Sequence, residues 1–244
     1  MQPPVEFRDR SEYKRKMNEL LKIDPARTVI VTVDMQREYL DMDVATAPVA
    51  AEEARRVISH TRKLLDFARA EGLPVIHAYV KRRPIEVEYG FLTSRAGGVS
   101  ERAGLSQNAQ AGARKGPNRV EGMPTTEVPA ELVAPGDVHM TTKRVTDAFH
   151  GTDLEMLLSR VFKAQTVVLT GINTDTCVYG TAFGTSNRGF QPVVISDCVA
   201  SMRGPEHHWM ALELMARSIA WVLTVDEFKA KIQTAKVLQP AAAH

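Results

Sequence analysis

Short apolar runs rich in β-branched residues alternate with helical segments along this chain of 244 residues. The clearest runs are Thr28–Val33 (TVIVTV), 73–80 (LPVIHAYV) and 166–170 (TVVLT), the last of which ends at Gly171. Such runs are typical of strands that are buried on both faces of a sheet. Strands that alternate with helices in this way form parallel sheets. We therefore predict an α/β protein with a doubly wound, mostly parallel sheet.

The remaining elements follow from the same periodicity. The sequence shows no internal repeat and no clear linker, and we interpret 1–244 as a single domain with an N-terminal helical extension over 1–24. Further strands are predicted at 137–142, 191–196 and 220–223, and helices at 9–22, 50–71, 154–162, 175–187, 205–217 and from 226 onward.

Residues 81–135 interrupt the pattern with seven glycines and several prolines. A loop of this length inside a compact domain is usually functional, as a lid or an interface, or else mobile. We consider two interpretations, a solvated surface excursion and an electropositive rim that attracts anionic substrates. The charged residues at its centre are mostly basic: Arg95, Arg102, Arg114, Lys115 and Arg119, against Glu101 and Glu121.

Charge and cysteine content argue against several classes of protein. A formal net charge of +2 gives no reason to expect nucleic acid or an anionic membrane as a partner. Two cysteines are too few for a disulfide framework in a chain of this length. The N-terminus lacks the apolar stretch of a secretory signal, and no apolar run approaches the roughly 18 residues of a membrane span. We therefore expect a protein of the reducing cytoplasm.

Cys177 lies shortly after the predicted central strand, in the first turn of the next helix. In open α/β sheets, ligands bind at this carboxyl edge of the strands. The free N–H groups and the positive end of the helix dipole both favour a thiolate there. The alternative is a small packing residue, as free cysteines often are. We assign that second role to Cys198, within ISDCVA.

Asp34 and Lys143 also follow predicted strands directly. If these strands are neighbours, both side chains meet Cys177 at one edge of the sheet. A carboxylate can take the thiol proton and later give it to a leaving group, while an ammonium stabilises the thiolate. Each residue also has a structural explanation, since Asp34 could cap a turn and Lys143 could be a solvated edge residue.

Three motifs together resemble the isochorismatase-like cysteine hydrolase superfamily. They are VDMQ at 33–36, TTKRVTDAFHGTDLEMLL at 141–158 and TGINTDTCV at 170–178. The similarity spans roughly 28–228, with the motifs in the order and separation that the family has. The resemblance implies a three-layer α/β/α fold around a six-stranded parallel sheet.

The resemblance also implies a site. Asp34, Lys143 and Cys177 match the catalytic triad of the family. A cis peptide bond between Ile172 and Asn173 is implied in the turn before the nucleophile, where it would aim the Asn173 N–H into an oxyanion hole beside the Cys177 N–H. Asn173 departs from the small Ala or Thr that is commoner in relatives. The backbone supplies the donor, so we expect the oxyanion hole to be kept.

The chemistry that the resemblance implies is hydrolysis of a C–N bond through a thioester, with release of ammonia or an amine. Members that cleave the vinyl ether of isochorismate do not need a cysteine, so Cys177 favours C–N cleavage. Nicotinamidases resemble this chain but carry an Asp and paired histidines for a metal. The region after Asp34 (REYLDMDVA) has no histidine and the second strand has only His77. We expect no metal and no cofactor, and we interpret the adjacent His207 and His208 as surface residues.

The substrate is expected to be a small amide, carbamoyl or ureido compound such as N-carbamoylsarcosine, biuret, ureidoacrylate or maleamate. Relatives are commonly oligomers, so we expect a homodimer or homotetramer. An isochorismate-type ether hydrolase and a non-catalytic family member are the alternatives. Arg83 or another lid arginine could hold a substrate carboxylate, and Phe149 also fits a core aromatic. The candidate substrate-binding residues are Phe149, His150, Tyr39, Tyr179 and Arg83.

Overall fold

A sheet of six parallel strands forms the centre of the molecule, which confirms the predicted fold class. The computed structural model describes residues 8–90, 95–112 and 119–238, without the side chains of 101 and 102. The strands are β1 (Thr28–Val33), β2 (Val75–Ala78), β3 (Val138–Met140), β4 (Thr166–Ile172), β5 (Gln191–Ala200) and β6 (Trp221–Leu223). Their order across the sheet is β3-β2-β1-β4-β5-β6.

Helices cover both faces of the sheet, because alternate strand residues point to opposite sides. In β1, Ile30 packs into one apolar core with residues of α3 and α9, whereas Val29 and Val31 pack into a second core with α7 and α8. In the described part of the chain, no helix is both long and apolar enough to cross a bilayer. The helices are α1 (Ser11–Leu20), α2 (Arg37–Leu40), α3 (Ala51–Ala70), α4 (Pro84–Glu88), α5 (Arg95–Arg102), α6 (Leu154–Met156), α7 (Tyr179–Asn187), α8 (Pro205–Ser218) and α9 (Val225–Leu238).

The strand order reverses between β1 and β4, the two central strands. In open α/β sheets, the crevice outside such a switch point is where ligands bind. Val33 and Gly171 are partners across this pair. Gly171 has φ 133°, and a Cβ atom on it would lie 1.9 Å from the Val33 carbonyl oxygen. Strand β4 continues through Gly171 to Ile172, two residues beyond the end predicted from the sequence.

Residues 81–135 contain more local structure than their composition indicates. Besides α4 and α5, the segment forms short 3-10 turns at Pro124–Thr126 and Ala130–Leu132. Arg82 and Val120 form a parallel bridge that folds the segment back on itself. Its role as a lid or interface, and the single-domain interpretation, stay predictions. Arg114 and Lys115 lie outside the described residues, as do the side chains of Glu101 and Arg102.

Strand β5 runs four residues beyond its predicted end, to Ala200. Its pairing with β4 is irregular between Leu169 and Gly171, which leaves β5 carbonyl groups to be satisfied from elsewhere. Arg56 of α3 supplies donors, with its guanidinium nitrogens 2.8 Å from the Asp197 oxygen and 3.0 Å from the Val199 oxygen. A contact between distant elements of this kind has no local sequence signal.

Candidate active site

Asp34, Lys143 and Cys177 meet at the carboxyl edge of the sheet. Lys143 Nζ lies 2.7 Å from Asp34 Oδ2 and 3.4 Å from Cys177 Sγ. The side chains of Asp34 and Lys143 are 0% and 1% exposed, while Cys177 is partly exposed. The structure thus brings together the three residues that the strand ends indicated, with the ammonium in contact with both the carboxylate and the sulfur.

The backbone of Asp34 is held in an uncommon conformation at the end of β1. Its φ is 51°, a left-handed value that few residues other than glycine adopt, although Asp tolerates it better than most. Its N–H donates to the Ala78 oxygen at 2.9 Å, and its own carbonyl accepts from the Gln36 N–H at 2.8 Å. The second carboxylate oxygen, Oδ1, is buried without a hydrogen bond among the described residues. One oxygen therefore holds Lys143 and the other is available for a proton.

Lys143 is positioned by a loop that packs closely on α7. The Ala148 N–H donates to Thr181 Oγ1 at 3.1 Å. A Cβ atom on Gly184 would lie 2.5 Å from Asp147 Oδ1, so the absence of a side chain there lets the loop approach the helix. Small residues on α7 thus place the segment that carries Lys143 against the helix that follows Cys177.

Cys177 lies in a single π-helical turn, Thr174–Val178, between β4 and α7. The peptide bond between Ile172 and Asn173 is cis. Asn173 Oδ1 accepts a hydrogen bond from the Met202 N–H at 2.8 Å, and Thr174 Oγ1 lies 2.9 Å from His208 Nδ1. Two side chains thus anchor the turn to the region after β5. The expectation that His208 is a surface residue was wrong, because the ring is buried where it holds this turn.

Burial determines the ionisation of the resting site. It raises the pKa of the Cys177 thiol, as does the Asp34 carboxylate, and the opposing charges of Lys143 and Arg119 do not outweigh this. The thiolate expected from the helix terminus is therefore not the favoured resting form. Burial alone would lower the pKa of Lys143, yet the charge of the adjacent Asp34 carboxylate raises it. The arrangement is an ammonium–carboxylate pair beside a neutral thiol, which needs a base to become a nucleophile.

The candidate substrate-binding residues fall into different environments. Tyr179 is partly buried two positions after Cys177, with its ring edge-to-face against Phe183. Phe149 is buried, stacks on Phe190 with ring centroids 6.3 Å apart and lies beneath the Arg188 guanidinium, as a core aromatic does.

Two of the candidates lie on the surface. His150 is exposed, and the Arg83 side chain is 67% exposed and pairs with Glu86 at 2.9 Å. In the described structure no hydrogen bond or ion pair joins either residue to the triad. The role of His150 and Arg83 in binding substrate stays a prediction.

Tyr39 contacts Arg119, a residue that was not among the candidate substrate-binding residues, and the role of Tyr39 in binding substrate stays a prediction. The Arg119 guanidinium lies over the Tyr39 ring, 5.3 Å from its centroid, and both side chains are buried. Arg119 Nη1 is 3.4 Å from Gln36 Oε1. The Gln36 amide is itself fixed, because its Nε2 donates to the oxygens of Val80 at 2.8 Å and Thr126 at 2.9 Å. Gln36, as part of the VDMQ motif, could have been selected as a site residue from the sequence. Nothing in the local sequence distinguishes Arg119 from its basic neighbours.

Among the residues that the structure describes, no three His, Cys, Asp or Glu side chains converge as a metal site would require. The expectation of a metal-free site stays a prediction.

Known proteins share both the sequence pattern and the fold. The isochorismatase domain family matches residues 28–227. A ureidoacrylate amidohydrolase of Methylobacterium radiotolerans is 30% identical over 231 residues, covering 88% of this chain and 83% of that protein. A protein of Pseudomonas chlororaphis named probable isochorismatase is 28% identical over 207 residues, covering 84% and 86%. The crystal structure of a cysteine hydrolase from Pseudomonas syringae pv. phaseolicola has a TM-score of 0.72 at 23% identity, covering 88% of this chain and 96% of that one.

The family match covers most of the chain, and it includes all three residues that meet at the sheet edge. The parallel sheet with helices on both faces agrees with the fold of the solved relative. This chain therefore belongs to the isochorismatase family and is an isochorismatase-like hydrolase.

Proposed function

We propose that this hydrolase is a cysteine-dependent amidohydrolase that cleaves a C–N bond of a small amide, carbamoyl or ureido compound. The observation that carries the proposal is the position of Lys143 Nζ, 2.7 Å from Asp34 Oδ2 and 3.4 Å from Cys177 Sγ. A carboxylate, an ammonium and a thiol in contact supply a base, a charge stabiliser and a nucleophile. Cys177 itself is partly exposed.

In the first half of the proposed reaction, Asp34 accepts the thiol proton and the Cys177 sulfur attacks the carbonyl carbon. The backbone N–H groups of Asn173 and Cys177 donate to the developing oxyanion, and losing one such donor typically costs on the order of 3 kcal/mol. Asp34 then gives its proton to the departing nitrogen as the C–N bond breaks. Ammonia or an amine leaves, and a thioester remains on the sulfur.

In the second half, a water molecule replaces the departed amine. The Asp34 carboxylate takes a proton from this water, and the resulting hydroxide attacks the thioester carbon. The carboxylic or carbamic acid leaves, and the sulfur recovers its proton. Lys143 stays protonated throughout, because the charges of Asp34 and Cys177 outweigh burial and raise its pKa. Its role is to hold the carboxylate and the sulfur in position relative to each other and to offset their negative charge.

A relative named ureidoacrylate amidohydrolase supports cleavage of a C–N bond. The alternative is hydrolysis of an isochorismate-like vinyl ether, which the relative named probable isochorismatase favours. The two reactions give different products, since an amidase releases ammonia or an amine and the ether hydrolase releases pyruvate. The cytoplasmic location and the homodimer or homotetramer stay predictions.

A panel of ureido and amide compounds assayed for ammonia tests the proposal, with an isochorismate arm assayed for pyruvate. Cys177→Ala is the decisive variant, and Cys198→Ala is its matched control because Cys198 is a fully buried residue of the apolar core. We expect ammonia from at least one compound, full activity in the Cys198 variant and none in the Cys177 variant. Pyruvate release without ammonia, or an active Cys177→Ala enzyme, would overturn the proposal.

A further inference from the structure

Arg119 brings a second buried cation to the triad, from within the segment 81–135. The Arg119 guanidinium lies over the Tyr39 ring, and its Nη1 is 3.4 Å from Gln36 Oε1. Gln36 is two residues after Asp34 in the same motif, so this contact links the guanidinium to the segment that carries Asp34. Arg95, another arginine of the segment, is exposed.

The backbone of Arg119 is held in place as firmly as its side chain. The Arg82 N–H donates to the Arg119 oxygen at 2.9 Å, and the Glu121 N–H donates to the Arg82 oxygen at 2.8 Å. Arg119 also has a left-handed backbone, with φ 54°. Conformations of this kind are costly for residues other than glycine and cluster at functional sites. The guanidinium is thus preorganised, and little of its freedom remains to be lost when a ligand binds.

The charge of Arg119 reaches the reacting groups. It counters the burial that raises the pKa of the Cys177 thiol, and it adds to the burial that opposes protonation of Lys143. Burial works against the guanidinium charge as well, yet the pKa of Arg119 is raised because Tyr39, Asp34 and other acidic groups lie near it. Arg119 therefore stays a cation in buried surroundings, where charge interactions are stronger than in water.

We propose that Arg119 is the specificity-determining residue of this site and binds a carboxylate carried by the substrate. The preferred substrate is then an amide or ureido compound with a free carboxylate, such as an N-carbamoyl amino acid or the half-amide of a dicarboxylic acid. A guanidinium suits this role because its planar fork matches a carboxylate with two parallel hydrogen bonds. The inference rests on the proposed function, since it places the anion in the same site as the scissile amide.

Two alkylating reagents of nearly equal size test the carboxylate site without any hydrolysis. Iodoacetate carries a carboxylate and iodoacetamide does not, and both form a thioether with Cys177 and release iodide. Peptide mass spectrometry gives the labelling rate at Cys177 for each reagent. We expect Arg119→Gln to lower the ratio of the iodoacetate rate to the iodoacetamide rate by at least about tenfold, which corresponds to about 1.4 kcal/mol of charge-assisted binding.

Arg95→Gln is the matched control, because it removes the same charge from an exposed position of the same segment. Its ratio should equal that of the wild type. Arg119→Lys keeps the charge without the fork, so its ratio should lie between those of wild type and Arg119→Gln, and it serves as the second variant if Arg119→Gln does not fold. An unchanged ratio of the two labelling rates in both Arg119 variants would overturn the inference. An equal drop in the iodoacetate and iodoacetamide rates would also overturn it, because it would mean that Arg119 acts on the thiol itself.

Turnover of a matched pair of compounds tests the same point in catalysis. With N-carbamoylglycine and its methyl ester, Arg119→Gln should lower kcat/KM at least about tenfold for the acid, mainly through KM, and leave the ester within about threefold. Equal losses on both compounds would contradict the inference. Failure of the proposed function and failure of this inference are distinguishable. Absence of ammonia from every compound would contradict the proposed function, whereas ammonia release with an unchanged alkylation ratio would contradict the role of Arg119 alone.

Discussion

Lys143 Nζ lies 2.7 Å from Asp34 Oδ2, and the two side chains form an ion pair that is almost fully closed to solvent. Removing two charges from water is costly, and their attraction offsets this cost only in good geometry. Such a pair is weak support for stability, since an apolar pair of similar volume often serves as well. Its presence next to a cysteine is therefore better explained by chemistry than by folding.

Removing both partners of this ion pair should cost less stability than the two single losses added together. Lys143→Met leaves a buried carboxylate unpaired and should lower the free energy of unfolding by about 3–5 kcal/mol. The double variant Asp34→Asn with Lys143→Met should cost clearly less than the sum of the single variants, by at least about 1 kcal/mol. Urea unfolding of the four proteins measures this coupling. Strictly additive losses would show that the two residues do not form the pair described.

The pH dependence of Cys177 alkylation should move in opposite directions when its two charged neighbours are removed. Burial and the Asp34 carboxylate raise the pKa of the thiol, while Lys143 lowers it. Asp34→Asn should therefore shift the midpoint of iodoacetamide labelling to lower pH, and Lys143→Met should shift it to higher pH. Rates measured in a Cys198→Ala background follow Cys177 alone. Shifts of the same sign in the two variants would contradict this charge assignment.

Gly171, in the central strand β4, should tolerate substitution by a larger residue poorly. A Cβ atom there would lie 1.9 Å from the Val33 carbonyl oxygen, and its φ of 133° disfavours any side chain. Gly171→Ala should cost at least about 3 kcal/mol of unfolding free energy and displace Asp34, the next residue after Val33. Gly189→Ala is the control, since its φ of 77° is also positive but no atom lies within 4 Å of the added Cβ. Equal costs for the two variants would exclude the clash as the cause.

His77 should make the protein less stable in mild acid. Burial of the ring lowers its pKa from 6.5 to about 4, and the Asp137 carboxylate, 3.1 Å away, only partly compensates. Between these two values the unfolded chain binds a proton that the native state does not, so stability falls as the pH falls from 6.5 towards 4. At pH 5 the loss of unfolding free energy should be about 2 kcal/mol. The loss should disappear as the pH rises above 6.5, the pKa of His77 in the unfolded chain.

Urea midpoints at several pH values between 7.5 and 4.5 measure this slope. His77→Gln should flatten it, whatever the variant does to stability at neutral pH, and His150→Gln, at an exposed position, should leave it unchanged. The other groups near the His77 ring are Thr32, Arg69 and His139, and these are the same in both variants. An unchanged slope in His77→Gln would show that another group causes the acid sensitivity.

The sequence was sufficient for the sheet and for the three residues at its edge. Apolar β-branched runs such as Thr28–Val33 have a strong local signal, and residues that directly follow parallel strands must come to one side of the sheet. The family motifs placed Asp34, Lys143 and Cys177 within this frame. These predictions rely on chain order and periodicity, which are properties that the sequence carries directly.

The features that the sequence did not reveal depend on contacts between distant segments. Arg119 reaches the site because residues 81–135 fold back at Arg82, and His208 is buried because it meets Thr174. The prediction for the ionisation of Cys177 was also wrong. Its position at a helix terminus indicated a thiolate with a lowered pKa, whereas burial raises the pKa of this thiol. Burial at this point arises from the packing of several loops, for which no local pattern exists.

In the proposed reaction, the sulfur of Cys177 carries the acyl group of the substrate during turnover. Rapid acid quenching of the enzyme with a compound that releases ammonia, followed by peptide mass spectrometry, tests this most directly. We expect a mass increase equal to the acyl group on the peptide that contains Cys177, with no adduct on Cys198 and no ammonia from Cys177→Ala. An adduct on another residue, or turnover by Cys177→Ala at the wild-type rate, would contradict it.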